Sequence, residues 1–175
     1  MQPKENYFSK QVTDARQILI GIPKGTDEEL NVVSVGCERC LPEFLVDRKT
    51  FPRNPNQPED MDFTTFEFVL EGEGEVQLGE KLQEVKSGSV FSYSRGVPHR
   101  IRNSRKKPML KYFLVCAHHS SRQPFHPVHS ERAGFFQISS IGEVMELFEL
   151  ILSNANLDSE YASSICNSLA KALVL

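Results

Sequence analysis

The hydrophobic period of this chain changes once, near Phe136, from the alternation of strands to the three-and-four spacing of helices. Before that point the sequence breaks into short apolar runs punctuated by turns. Residues 17–22 and 31–36 are β-branched and apolar, and 44–48 alternate, with Phe44, Val46 and Arg48 on one face. Residues 64–70, 75–78, 82–85, 89–93, 99–102 and 110–116 complete a set of about nine short strands. Residues 53–62, with two prolines and two asparagines, read as a loop. Short strands at close turn spacing exclude a parallel α/β sheet and leave a sandwich or a closed barrel. After Phe136, Ser140 with Glu143 predicts a capping box, and Val144, Leu147, Phe148 and Ile151 follow at helical spacing. Residues 154–158 break that helix. A second begins near Asp158 with Ala162, Ile165, Cys166, Leu169 and Leu173 on one face. It runs uncapped and apolar to Leu175, so the chain is expected to be a fragment of something longer.

The function classes are narrowed by what the 175 residues lack. No apolar run approaches the roughly 20 residues of a membrane span, and the polar N-terminus has no secretory core. Four cysteines are too few for a disulfide framework, so a cytoplasmic setting is expected. A net charge of -3 argues against nucleic-acid binding by this segment itself. The charge is uneven, however. Residues 90–130 contain no Asp or Glu but hold Arg95, Arg100, Arg102, Arg105, Lys106, Lys107, Lys111, Arg122 and all five histidines, whereas 59–84 are strongly acidic. Two readings remain open: charge matching between neighbouring strands, and an anion-attracting pocket mouth.

The segment GSVFSYSRGVPHRIRN, residues 88–103, resembles the second cupin motif, G-x5-P-x-G-x2-H-x3-N. Gly88, Gly96, His99 and Asn103 fall in register, and Ser94 stands where the pattern has proline. Gly96 permits the tight turn, and Pro98 stiffens the chain before the next strand. FEFVLEGEGEVQLG, residues 66–79, is similar to the end of the first cupin motif, with Gly72 as its glycine. The resemblance implies a mainly β fold, a cupin double-stranded β-helix or jelly-roll barrel, followed by a C-terminal α-helical hairpin. The first motif's metal ligands would fall on Glu59, Met61 and Thr65, none of them histidine. One His99 does not make a site that needs about three protein ligands, so no metal and no cofactor are expected.

With that departure, the chain is similar to the N-terminal sensing domain of AraC-type transcriptional regulators. The resemblance rests on the strand ending in Asp47-Arg48, the run Gly96-Val-Pro-His99 followed by residues 110–116, and Gly134-Phe-Phe136 before two helices. It implies an N-terminal arm over residues 1–16, a cupin barrel over 17–131 and a helical dimerisation hairpin over 132–175. A homodimer through the helices is implied, and DNA would be read only by a domain outside this chain. No membrane partner is expected. The pocket residues implied by the resemblance are Arg48, Ile101, Tyr112 and Leu114, and strand alternation adds Glu67, Val69 and His99. Arg48 would anchor a small effector, a sugar or a small anion, as a bidentate donor, or else pair with Glu67. Leu114 in place of a stacking aromatic, and the absence of tryptophan, argue against a specific claim for sugar.

The chain is thus expected to hold a small molecule rather than transform one, with no catalytic residues. The alternative is a metal-free cupin enzyme, similar to a sugar epimerase or isomerase, with His99 as base and Tyr112 as acid. Cys37-Glu-Arg-Cys40 is a lone C-x-x-C, and residues three apart in a strand point to opposite faces, so ordinary reduced thiols are expected. Residues 122–129, RQPFHPVH, read as a crossing segment from barrel to helices.

Overall fold

The computed structural model describes residues 11–21, 29–49, 61–119, 133–157, 159 and 161–174. Ten strands precede two helices: β1 (Val12–Leu19), β2 (Asn31–Cys40), β3 (Leu45–Arg48), β4 (Met61–Glu71), β5 (Glu73–Leu78), β6 (Lys81–Lys86), β7 (Ser89–Ser94), β8 (His99–Asn103), β9 (Leu110–His119), β10 (Ala133–Gln137), α1 (Ile141–Ala155) and α2 (Ala162–Val174). They form a six-stranded sheet in the order β1-β2-β9-β4-β7-β10 and a four-stranded sheet in the order β3-β8-β5-β6. All the pairings are antiparallel.

Three layers result because the large sheet is apolar on both faces. One face meets the small sheet over Phe44, Val69, Val76, Leu78, Val85, Phe91, Ile101 and Met109. The other meets the hairpin, where Val32, Val35, Phe66, Phe68, Tyr112, Leu114 and Cys116 pack on Phe148, Ile151, Cys166, Ala170 and Val174. Strand alternation assigns the faces: Phe66 and Phe68 turn to the helices, while Glu67 and Val69 turn to the small sheet. Two polar contacts fix the hairpin's position on this apolar seat. The Val32 N–H donates to Asn167 Oδ1 at 2.8 Å, and Tyr112 Oη donates to Glu149 Oε1 at 2.6 Å. Arg16 adds a two-pronged pair to Glu149 at 2.9 and 2.5 Å. It is placed there by a bulge in β1, where Asp14 takes φ 47 and the register with β2 shifts.

Several expectations change. Residues 12–16, expected in the arm, belong to β1, where Val12, Thr13 and Arg16 pair with β2, and β10, not expected as a strand, pairs with β7. Ser140 stands at the start of α1, but at ψ 55 its side chain makes no cap bond, so the predicted capping box does not form. Only its carbonyl engages, accepting from the Val144 N–H at 3.2 Å. The buried face of α2 is Ala162, Cys166, Asn167, Ala170 and Val174, rotated from the predicted one, and Ile165 is 40% exposed. The polar Asn167 takes an inward place because it caps a strand end, which a hydrophobic pattern does not reveal. Residues 1–10, the 53–60 loop, the 122–129 segment and Leu175 lie outside the described residues.

The basic and acidic stretches do meet across strands. Arg102 pairs with Glu75 at 3.0 Å and Lys107 with Glu73 at 3.3 Å, while Arg100 pairs at 3.8 Å with Asp47, outside the acidic stretch. These exposed pairs are each worth about 0–1 kcal/mol. Turn glycines matter more. Gly88 and Gly96 both hold φ +84, but an added Cβ meets open space at Gly96, whereas at Gly88 it comes within 2.8 Å of the Ile138 carbonyl. Gly96→Ala is therefore expected to cost about 1–2 kcal/mol, the backbone term alone. Gly88→Ala is expected to cost clearly more, and equal losses in urea unfolding would contradict the crowding assigned to Gly88.

Candidate ligand cavity between the sheets

A cavity of about 670 Å³ lies between the sheets, within the range of small-molecule sites. Its walls include Val46 and Arg48 of β3, Phe63, Thr65 and Glu67 of β4, His99 and Ile101 of β8, and Lys111, Phe113 and Val115 of β9. Tyr93 and Ser94 come from the end of β7, and Arg95 and Val97 from the turn that follows it. The cavity reaches solvent near Arg48 and Leu45, both exposed.

Its buried side is organised by Lys111. The ammonium lies 2.5 Å from Glu67 Oε2 and 2.7 Å from Glu38 Oε1, and the side chain is 4% exposed. It also stands 5.4 Å from the Phe44 ring centroid and 5.8 Å from that of Phe113. Burial by itself would lower the Lys111 pKa, but the charges of Glu67 and Glu38 overcome it and hold the pKa above its ordinary value. Lys111 is therefore a permanent cation. Tyr93 Oη donates to the other Glu67 oxygen at 2.7 Å. Burial, reinforced by the Glu67 charge, pushes the Tyr93 hydroxyl well above its usual range, so it stays protonated.

The wall opposite is set by a turn. The Val97 N–H donates to the Ser94 carbonyl at 3.2 Å, with Gly96 at φ +84, the geometry of a type II turn with Arg95 at its first corner. The Arg95 N–H donates to the Phe63 carbonyl at 2.8 Å, which ties the turn to β4. His99 Nδ1 lies 3.0 Å from the Val97 carbonyl. A carbonyl only accepts, so Nδ1 carries the proton and Nε2 is the acceptor nitrogen. The ring stacks on Tyr93 at 4.1 Å between centroids. Burial lowers the His99 pKa below 6.5 against the opposing pull of the Val97 carbonyl and Glu67, leaving the ring neutral near pH 7.

Of the seven residues expected in the pocket, Arg48, Glu67, His99 and Ile101 line this cavity. Val69 points inward but is buried in the apolar core between the sheets. Tyr112 and Leu114 lie on the other face of β9, beneath the helices, so they are not pocket residues. The reason is register. Glu67 is opposite Phe113 and Phe68 opposite Tyr112, so the inward set of β9 is Lys111, Phe113 and Val115. A one-residue slip in a strand exchanges its faces. Tyr112 therefore cannot serve as an acid beside His99; its hydroxyl is committed to Glu149.

Sequence reasoning missed Glu38, Phe44, Tyr93, Arg95 and Lys111. A lysine inside the otherwise apolar 110–117 run was the available signal, since a charge there must meet a partner. Cys37 packs on the helix side and Cys40 on the barrel side, as the C-x-x-C spacing predicts. Burial raises both thiols, Cys40 to about 12, so neither is a thiolate near neutrality. Among the described residues no three His, Cys, Asp or Glu side chains stand together as a metal site. Glu59 lies outside the described residues.

Lys111→Met is expected to leave two facing carboxylates without their cation, at a cost of about 3–5 kcal/mol in urea unfolding. Adding Glu67→Gln to it should return part of that loss. A loss below about 1 kcal/mol in the single variant would show that the cage does not hold the sheets together.

Residues 59–116 match the family model described as "Cupin domain". No curated protein matches the sequence. Among solved structures, YhaK from Escherichia coli is similar at 15% identity and TM-score 0.51, over 71% of this chain and 51% of that one. The chain thus spans about half of YhaK. The Cupin_2 domain of an XRE family transcriptional regulator from Enterobacter cloacae matches at 14% identity and TM-score 0.40, over 63% of this chain and 98% of that one. Bacillus subtilis oxalate decarboxylase OxdC matches at 15% identity and TM-score 0.40, over 71% and 28%. The expectation that the chain is no enzyme is withdrawn, because the cupin domain matched over 59–116 does not by itself separate binding from catalysis. Among the described residues no helix is long and apolar enough to cross a membrane. The match over 59–116, the two antiparallel sheets and the C-terminal helices together identify the fold as a cupin barrel followed by a helical hairpin.

Proposed function

We propose that the cavity between the sheets binds a small polar molecule, and that the chain is the effector-sensing part of a cytoplasmic transcription regulator similar to the AraC type. The observation that carries this reading is the polar wall of the cavity. Lys111, Glu67, Glu38 and Tyr93 are held in one hydrogen-bonded cage, and His99 and Arg95 are fixed by the turn at Gly96. Such a wall is preorganised, so little side-chain freedom is lost when a ligand enters. The same strand, β9, carries the cavity on one face and the hairpin on the other, which gives an effector a physical route to the helices.

Dimerisation belongs to this reading. The hairpin exposes Leu150, Leu157, Tyr161 and Ile165, large apolar side chains that a second copy would cover. In the AraC-type arrangement, DNA contact would be made by a domain outside this chain.

A second reading is favoured by His99. Its Nδ1–H is engaged by the Val97 carbonyl, which leaves a neutral, basic Nε2 at the cavity, the state required of a general base. Tyr93 is a poor acid for the partner role, because its proton is held by Glu67 and its pKa is raised.

Both readings place the ligand in one cavity, and a cavity-filling variant tests that placement. A metabolite library is expected to contain compounds that raise the melting temperature of the wild type, with the shift abolished in Val115→Trp. Compounds whose shift survives Val115→Trp would put binding elsewhere, and turnover of a bound compound lost in His99→Phe would favour the enzyme. Sedimentation is expected to show a dimer that Leu150→Arg with Ile165→Arg disperses; a monomeric wild type would remove dimerisation from the reading.

A further inference from the structure

Among the described residues Arg95 has no ion-pair partner. It lines the cavity, and its Nη2 is buried with no hydrogen-bond partner among the described residues. Its neighbours in sequence behave differently: Arg100 pairs with Asp47, and Arg102 pairs with Glu75. The carboxylate on the buried side of the cavity is already committed, since Glu67 gives one oxygen to Tyr93 and the other to Lys111. A guanidinium does not shed its proton on burial, so its desolvation is met only by an anion or by hydrogen-bond acceptors. The turn that fixes the Arg95 backbone also fixes His99 four residues on, with Nε2 as a hydrogen-bond acceptor at the same cavity. Arg95 thus brings to the cavity a buried guanidinium nitrogen with no partner among the described residues, and His99 brings an acceptor nitrogen.

We infer that the cavity selects a small hydroxylated carboxylate, its carboxylate taken by Arg95 and a hydroxyl donated to His99 Nε2. This rests on the reading that the cavity binds a small molecule, and it names the chemical class. A planar carboxylate matches the guanidinium fork with two parallel hydrogen bonds. A polyol lacking the carboxylate leaves Arg95 unmatched, and an alkyl carboxylate leaves His99 unmatched; a site built for polar partners rejects the ligand that lacks them. Phe63, Val97, Phe113 and Val115 supply apolar wall for the ligand's carbon skeleton.

The test uses thermal shift and calorimetry on the whole chain with glycerate, D-gluconate, hexanoate, D-sorbitol and inorganic phosphate as probes. Glycerate or gluconate is expected to raise the melting temperature. The shift should vanish in Arg95→Met and fall at least tenfold in affinity in His99→Phe, while sorbitol and hexanoate give far smaller shifts. Without ligand, Arg95→Met is expected to melt about 2–4 °C above wild type, because a buried, unpartnered guanidinium nitrogen has been removed while the stem still packs. Lower stability in that variant would make Arg95 a structural residue and overturn the inference. So would equal shifts from sorbitol, in which case the cavity binds small molecules but does not select acids. Equal shifts from phosphate would make it a general anion site and overturn the class. No shift from either hydroxy acid overturns it as well, and the broader library then decides whether the cavity reading falls with it.

Discussion

Strand β9 is the constraint on which this structure depends. It is the third strand of the large sheet, between β2 and β4, with its helix-side residues buried and Phe113 and Val115 half-buried at the cavity. Lys111, Phe113 and Val115 face the cavity, while Tyr112, Leu114 and Cys116 face the helices. Because the side-chain period of a strand is two, those surfaces are specified together by one register. The pairs Glu67–Phe113 and Phe68–Tyr112 with β4 lock it. A slip by one residue would bury Phe113 against the hairpin and remove Lys111 from its carboxylates. The hairpin's seat and the cavity's electrostatics therefore stand or fall together.

The Lys111 cage explains how a barrel interior holds charge without collapse. Burying an ion costs several kcal/mol, and one carboxylate returns that cost only in very good geometry. Here one ammonium meets two carboxylates, with aromatic rings of Phe44 and Phe113 beside it and Tyr93 satisfying the remaining Glu67 oxygen. The arrangement is worth more as a fixed shape than as net stability. It holds β2, β4, β7 and β9 in one polar knot at the place where an apolar core would otherwise close. Below it, Val69, Phe91, Ile101 and Met109 do close that core, which is why the cavity occupies one end of the barrel only.

Much of this architecture was legible in the amino-acid sequence, and the failures have one physical pattern. Turn glycines and alternation placed nearly all the strands, because those signals are local. Helical periodicity placed both helices for the same reason. What local signals do not carry is which of two apolar faces meets which layer. In β9 both faces are apolar, so Tyr112 and Leu114 were assigned inward by resemblance, and only pairing with β4 shows the opposite. The same limit applies to α2, where Asn167 is buried because it serves the end of β2, 135 residues away in sequence. Arg48 and Ile101, taken from the resemblance, and Glu67 and His99, taken from strand alternation, do line the cavity. Tyr93, near the end of β7, was not singled out, and Arg95, in the turn after it, was noted only as part of the basic 90–130 stretch, because period carries no information there.

The position of Glu149 bears on how the cavity and the hairpin communicate. Its carboxylate takes the Tyr112 hydroxyl from β9 and the Arg16 guanidinium from β1, so a single side chain of α1 reads two strands of the sheet. Its pKa is held below the ordinary carboxylate value, chiefly by the hydrogen bond from Arg16, and it remains an anion through the neutral range. Tyr112 is the chain neighbour of both Lys111 and Phe113, which line the cavity on the reverse face. A displacement of β9 from the cavity side is therefore either carried into α1 through Tyr112 or relieved by breaking the Tyr112–Glu149 bond. In both cases the hairpin's hold on the sheet changes, while the apolar seat beneath Phe148 and Ile151 keeps it attached. That combination, an apolar seat with one polar latch on the cavity strand, suits the sensing role proposed above, in which the element that moves must stay attached.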